Sequence, residues 1–169
     1  IASTVDTCSG VPKTCVYTSA DDPVDVPSDV SFVQPDPFRV IVLTDLGNEA
    51  DDQQSLVRLL LYANELDIRG IVATTSVFLR TPEFEHIPPR LDAYGAVLSS
   101  LSVHADGYPS KEYLESVSVI GTSCGGSSCF QSSSFGAGMS SDGSALIVDE
   151  LTSQEDSPVW VIVWGGANT

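Results

Sequence analysis

Residues 39–54, RVIVLTDLGNEADDQQ, carry three aspartates at a spacing that can do chemistry. An apolar, β-branched run ends in Thr44-Asp45, a Gly-containing loop follows, and Asp51-Asp52 open a helical pattern. A parallel strand delivers its functional residues at its carboxyl end, where open α/β sheets place their ligands. Three acids brought together there suit a hard cation such as Ca²⁺, which takes several oxygen ligands. Helix capping alone explains two of them, since Asp51 and Asp52 fit the positive end of a helix dipole. It leaves Asp45 unexplained, so the three read as a functional cluster.

The elements that must position these acids are legible from periodicity. Phe38–Thr44 reads as a first strand and 51–64 as a helix with an apolar face of Leu56, Leu59, Leu60 and Ala63. Residues 67–74 (DIRGIVAT) form a second strand, 83–99 a helix, 101–104 a short third strand and 109–117 another helix. A Gly/Ser-rich surface loop spans 121–141, and a helix over 144–151 leads into 159–164 (VWVIVW). That last run is continuously apolar, of the kind buried on both faces of a parallel sheet. Strand alternating with helix predicts an α/β fold, an open, mostly parallel sheet with flanking helices. Residues 1–37 are a Pro-, Asp- and Ser-rich lead-in, and 38–169 hold the periodic domain.

Composition narrows the partners. The net charge of −16, from 23 acids against seven bases among 169 residues, argues against nucleic acid and anionic membranes. No apolar stretch reaches the roughly 20 residues needed to span a bilayer. No signal peptide is visible, which fits a mature start at Ile1. Four cysteines sit as two close pairs, Cys8/Cys15 and Cys124/Cys129, in Ser-, Thr- and Gly-rich surroundings. Local disulfides are the simplest of the three connectivities; a zinc site is the rival, though the spacings fit it poorly. Disulfides in such a setting imply a secreted, extracellular protein.

Five segments in order carry a resemblance: 42–61 (VLTDLGNEADDQQSLVRLLL), 70–75 (GIVATT), 92–95 (DAYG), 104–110 (HADGYPS) and 161–169 (VIVWGGANT). Together they resemble the nucleoside hydrolase-like domain of secreted cellulose-binding proteins, a branch of the nucleoside hydrolase superfamily. The resemblance runs over residues 38–169. It implies that Asp45 binds Ca²⁺ and takes a proton from the attacking water, that Asp51 holds sugar hydroxyls, and that Asp52 is a metal ligand. Asn168 matches a position whose backbone carbonyl ligates the metal. Leu43 and Leu46 depart from the superfamily's Asp and Pro, and Asn48-Glu49-Ala50 lengthen the loop by two residues. The metal half of the signature is thus kept while the sugar-facing loop is reshaped, with Asn48 a candidate substrate contact.

Trp164 at the end of the last strand is a further candidate for stacking on a sugar, although a tryptophan beside a buried strand is commonly core. His86 and His104 are isolated and read as structural. The superfamily domain needs roughly another hundred residues, within the usual size of one domain. The chain is therefore expected to be the N-terminal part of a longer polypeptide, incomplete at its C-terminus, with the remainder of its own precursor as a partner. Two functions fit: a Ca²⁺-dependent hydrolase of N- or O-glycosyl bonds in a carbohydrate or nucleoside-like substrate, or a non-catalytic carbohydrate (cellulose)-binding protein using the same metal site. A phosphatase of the haloacid dehalogenase type also begins with a strand-end Asp, but it wants a second Asp two residues on, and Leu46-Gly47 supplies none.

Overall fold

A computed structural model describes residues 36–47, 49–124, 136 and 138–169, of which Asp36–Thr169 form one compact unit. Its centre is strand β1 (Phe38–Thr44), where FRVIVLT is buried from Arg39 onward. A run that apolar and β-branched is suited to a pleated surface covered on both faces. Strand β2 (Leu66–Ala73) pairs parallel to it on one side and β4 (Val159–Val163) on the other, while β3 (Ser118–Ile120) lies outside β2. Among the described residues the sheet is therefore four-stranded, parallel throughout, in the order β3-β2-β1-β4.

Helices cover both faces. On one, α1 (Ala50–Leu61), α2 (Ile87–His104) and α3 (Lys111–Ser116) enclose a core that includes Leu56, Leu60, Ile68, Leu91 and Leu114. On the other, α4 (Asp142–Thr152) lays Leu146 and Ile147 against Ile41, Leu43 and Val72. Helix α4 starts at a reciprocal cap: Ser141 Oγ accepts from Ser144 N at 3.1 Å, and Ser144 Oγ accepts from Ser141 N at 2.9 Å. That satisfies two orphan amides of the first turn, and it starts the helix two residues before the apolar periodicity does.

Two expectations are corrected. Residues 101–104 are the last turn of α2, not a strand. Leu91, Tyr94, Leu98 and Leu101 keep the helical spacing and stay against the core, so the helix continues until Ala105 turns extended. The third strand is Ser118–Ile120, too short for any period to announce it. Among the described residues strand β4 is an edge of the sheet, with Trp160 56 % and Val163 47 % exposed. Among the described residues no helix is long and apolar enough to cross a membrane.

Candidate functional site

Strand register brings the candidate residues to one edge. Thr44 pairs with Ala73, and Leu43 with Val163, so Asp45, Thr74 and Trp164-Gly165 leave the sheet at nearly the same level. The chain moves from β1 outward to β2 and β3, then crosses back to β4 on the other side of β1. The strand order thus reverses between β1 and β4, and in open α/β sheets a crevice opens at such a switch point. Asp45 stands there. Its neighbour across the gap is Gly165, where a Cβ would come within 2.7 Å of Asp45 Cβ and 2.8 Å of its backbone nitrogen. A glycine is what lets β4 close on Asp45.

Asp52 completes a pair. It sits in the first turn of α1, 6 % exposed, and its Oδ2 accepts from Thr44 Oγ1 at 2.7 Å and from the Asp45 amide at 3.0 Å. Burial, and then the adjoining Asp45 carboxyl, push the Asp52 pKa up to about 6, against the pull of the Thr44 hydroxyl. A neighbouring carboxyl opposes the ionisation of Asp52, and a cation beside the pair would offset that. Asp51 does not join them. It is exposed, and its Oδ1 accepts from the Asp52 amide at 3.0 Å, a use that suits the helix N-terminus. The acids therefore meet as a pair with a third beside them, and among the described residues no three His, Cys, Asp or Glu converge.

The donor chemistry still fits a hard cation in part. Two carboxylates supply some of the six to eight oxygens that Ca²⁺ takes. Thr74, at the same sheet edge, has a buried hydroxyl with no partner among the described residues, an arrangement that ordinarily costs about 1–3 kcal/mol until something binds it.

The other candidates fall elsewhere. Asn168 is buried, and its amide donates to Thr75 Oγ1 at 2.5 Å and to the Thr122 carbonyl at 3.4 Å, tying the exit of β4 to those of β2 and β3. No bond among the described residues links it to Asp45 or Asp52. Trp164 packs partly buried on the core and lines a concavity of about 330 Å³ with Ser55, Arg58, Leu59 and Tyr62, along α1 beyond its first turn. Asn48 lies outside the described residues, as do Cys8, Cys15 and Cys129. Cys124 is described, and its Sγ lies 3.0 Å from Thr75 Oγ1.

A second polar pair at this edge escaped the sequence reading. Glu83 Oε2 and His86 Nε2 are hydrogen-bonded at 2.9 Å, and both side chains press against Gly47, two residues after Asp45. The His86 carbonyl accepts from Arg90 at 3.1 Å, and Arg90 also donates to Gln53 at 2.5 Å, next to Asp52. The only sequence signal was position: both residues follow the end of a parallel strand and enter the next helix.

The comparisons with known proteins agree with this architecture. Residues 39–169 match the family model described as cellulose-binding Sde182, nucleoside hydrolase-like domain. Among solved structures, a nucleoside hydrolase-related protein from Saccharophagus degradans, described as associated with carbohydrate metabolism, superposes with a TM-score of 0.71 at 38 % identity. The match covers 78 % of this chain and 31 % of that one, so the chain spans about a third of that relative's length. No curated protein matches the chain.

Proposed function

The chain belongs to the family of nucleoside hydrolase-like domains of cellulose-binding Sde182, and from that we propose that it carries part of the site of a Ca²⁺-dependent glycosidic-bond hydrolase, acting on a carbohydrate or nucleoside-like substrate. The observation that carries the proposal is the convergence of Asp45 and Asp52 at the switch point between β1 and β4. Calcium held there would supply a positive charge that orients and acidifies a water. Cleavage passes through an oxocarbenium-like state. Asp45, half-buried and not committed to the Thr44 hydroxyl, accepts the proton as the water oxygen bonds the anomeric carbon. The glycosidic bond breaks with its electron pair on the leaving group, which takes up a proton in turn. Asp52, whose Oδ2 is held by two donors, would serve as a ligand to the ion. Asp51, exposed in the first turn of α1, and Asn48 would hold sugar hydroxyls, and the Asn168 carbonyl would be a further ligand. Trp164, in its separate concavity, is not assigned a contact.

A second reading keeps the metal and drops the hydrolysis: a carbohydrate-binding protein of the extracellular space, favoured by the cellulose-binding description of the family. Local disulfides Cys8–Cys15 and Cys124–Cys129 belong to the same extracellular proposal. Calorimetric titration of calcium into the full-length protein tests the metal. Binding that is lost in Asp45→Ala with Asp52→Ala is expected, and equal affinity in the variant would sink the site. Turnover of inosine, p-nitrophenyl riboside or cello-oligosaccharides then separates hydrolase from binder: product formation that falls about 10²–10⁴-fold in Asp45→Asn supports the hydrolase. Saccharide binding with no turnover supports the alternative.

A further inference from the structure

Glu83 and His86 border the mouth of the Asp45/Asp52 site through Gly47, two residues after Asp45. A contact circuit closes around that mouth: Asp45 donates its amide to Asp52, Gln53 follows Asp52 and accepts from Arg90, Arg90 holds the His86 carbonyl, His86 binds Glu83, and both press on Gly47. Gly47 has a φ of +121°, and a Cβ there would also come within 2.7 Å of His86 Cδ2. The loop after Asp45 is thus shaped to let this pair approach.

A purely structural role explains the pair poorly. The backbone of the segment is already anchored through Arg90, independently of the Glu83 and His86 side chains. Their side chains are 37 % and 35 % exposed, and a polar pair that open to water contributes little to stability. Each has one polar atom engaged with the other, while Glu83 Oε1 and His86 Nδ1 make no hydrogen bond among the described residues. A carboxylate oxygen accepts, and an imidazole nitrogen donates or accepts. Vicinal sugar hydroxyls, each both donor and acceptor, match such a surface.

We propose that Glu83 and His86 form a hydroxyl-binding wall on the Gly47 side of the site, contacting the sugar ring and selecting which ring is held. The proposal rests on reading that site as one for a glycoside or nucleoside, and it adds the residues that choose among them. The pair is braced at one end and free at the other, as a recognition surface must be to hold geometry without being consumed by it.

The test uses the full-length protein with calcium present and two probes, cellobiose and D-ribose. In the wild type, the His86 ring cross-peaks, assigned by their absence in His86→Ala, are followed by heteronuclear NMR during each titration. Affinities are measured by calorimetry for wild type, His86→Ala, Glu83→Gln and the control His104→Ala. We expect the His86 resonances to move with one sugar more than the other, affinity for that sugar to fall about ten-fold in His86→Ala and in Glu83→Gln, and no change in His104→Ala. Calcium affinity should stay within about two-fold in all of them. Resonances unmoved at saturating sugar, or unchanged affinity in the folded Glu83→Gln variant, would overturn the wall. So would wild-type protein that binds neither sugar; whether the metal site exists is read separately, from the calcium titration.

Discussion

Asp52 is ionised at neutral pH only against resistance, and that gives a residue-scale prediction. Its folded pKa, pushed up to about 6, lies above the ordinary 3.8 of an unfolded aspartate. Below 3.8 both states hold the proton and the residue costs nothing. Between 3.8 and about 6 the unfolded chain releases its proton while the fold keeps it, so stability falls as pH rises, and above that window the loss is complete. Without calcium, Asp52→Asn should therefore be more stable than wild type at pH 7 by about 1–2 kcal/mol, below the ~3 of a full two-unit shift because water and salt reach the pair. The two proteins should converge near pH 4, roughly the ordinary carboxyl range. Asn keeps an oxygen for the Thr44 hydroxyl and the Asp45 amide, so packing is not the variable. Denaturant melts across pH, with and without calcium, check it; wild type losing no stability between the two pH values would refute the charge conflict.

At the scale of elements, the site depends on how closely β4 meets β1. Gly165→Ala places a methyl group against Asp45 and must push the strand exit or the loop aside. The expected result is a loss of calcium affinity of roughly ten-fold or more, as when a supporting group of a metal site is removed, with a smaller change in melting temperature. The opposite end of the sheet supplies the contrast. Arg39, 3 % exposed, donates to Glu150 Oε2 at 2.6 Å, to the Ser157 carbonyl at 2.9 Å and to Ser153 Oγ at 3.0 Å, joining β1 to the end of α4. Arg69 binds the same Glu150 carboxylate at 2.9 Å. Burial raises the Glu150 pKa, but Arg69 and Arg39 outweigh it and hold the group below its usual value. Glu150→Gln removes the charge that two guanidinium groups share and should cost about 1–3 kcal/mol, with calcium affinity unchanged. Thermal unfolding and calcium calorimetry on both variants separate an element that shapes the site from one that only holds the fold.

At the scale of residues 36–169 as one unit, β4 is an open edge among the described residues. Strand β4 presents Trp160, Val161 and Val163 at 41–56 % exposure, and Phe38 meets Trp160 edge-on at 6.3 Å between ring centres. A further apolar concavity of about 380 Å³ opens between Phe38, Val40, Leu66, Trp160 and Ile162. An open, flat, apolar edge is a template for pairing with another strand. Residues 1–169 expressed alone are therefore expected to self-associate, and Val161→Lys should shift the species toward monomer in analytical ultracentrifugation. Wild type that is already monomeric at about 100 μM, a concentration at which exposed edges commonly associate, would show that the edge is protected.

Much of this arrangement is local in origin, and the sequence by itself determined it. The β-branched run before Asp45, the 3.6-residue spacing of Leu56, Leu60 and Ala63, and the alternation of strand with helix specify a parallel α/β sheet with Asp45 at a strand's carboxyl end. Neighbours in the chain also place Asp52 in the turn that reaches back to Thr44, only eight residues away. What tertiary structure alone decided involves partners far apart in the chain or surfaces whose burial depends on packing. The spacing of Leu91, Tyr94, Leu98 and Leu101 allows α2 to run on through 101–104, but so short an apolar segment also suits a strand, and the core contact of Leu101 settles the choice. The apolar composition of β4 suits a covered strand, yet exposure depends on what lies beside it, and its place at the edge follows from strand order. Asn168 meets Thr75 across 93 positions, and Glu83 and His86 reach the loop after Asp45 only because α2 docks on α1 through Arg90 and Gln53. Residue type announces which groups can do chemistry; which of them meet is fixed by packing between elements, and no local pattern encodes that.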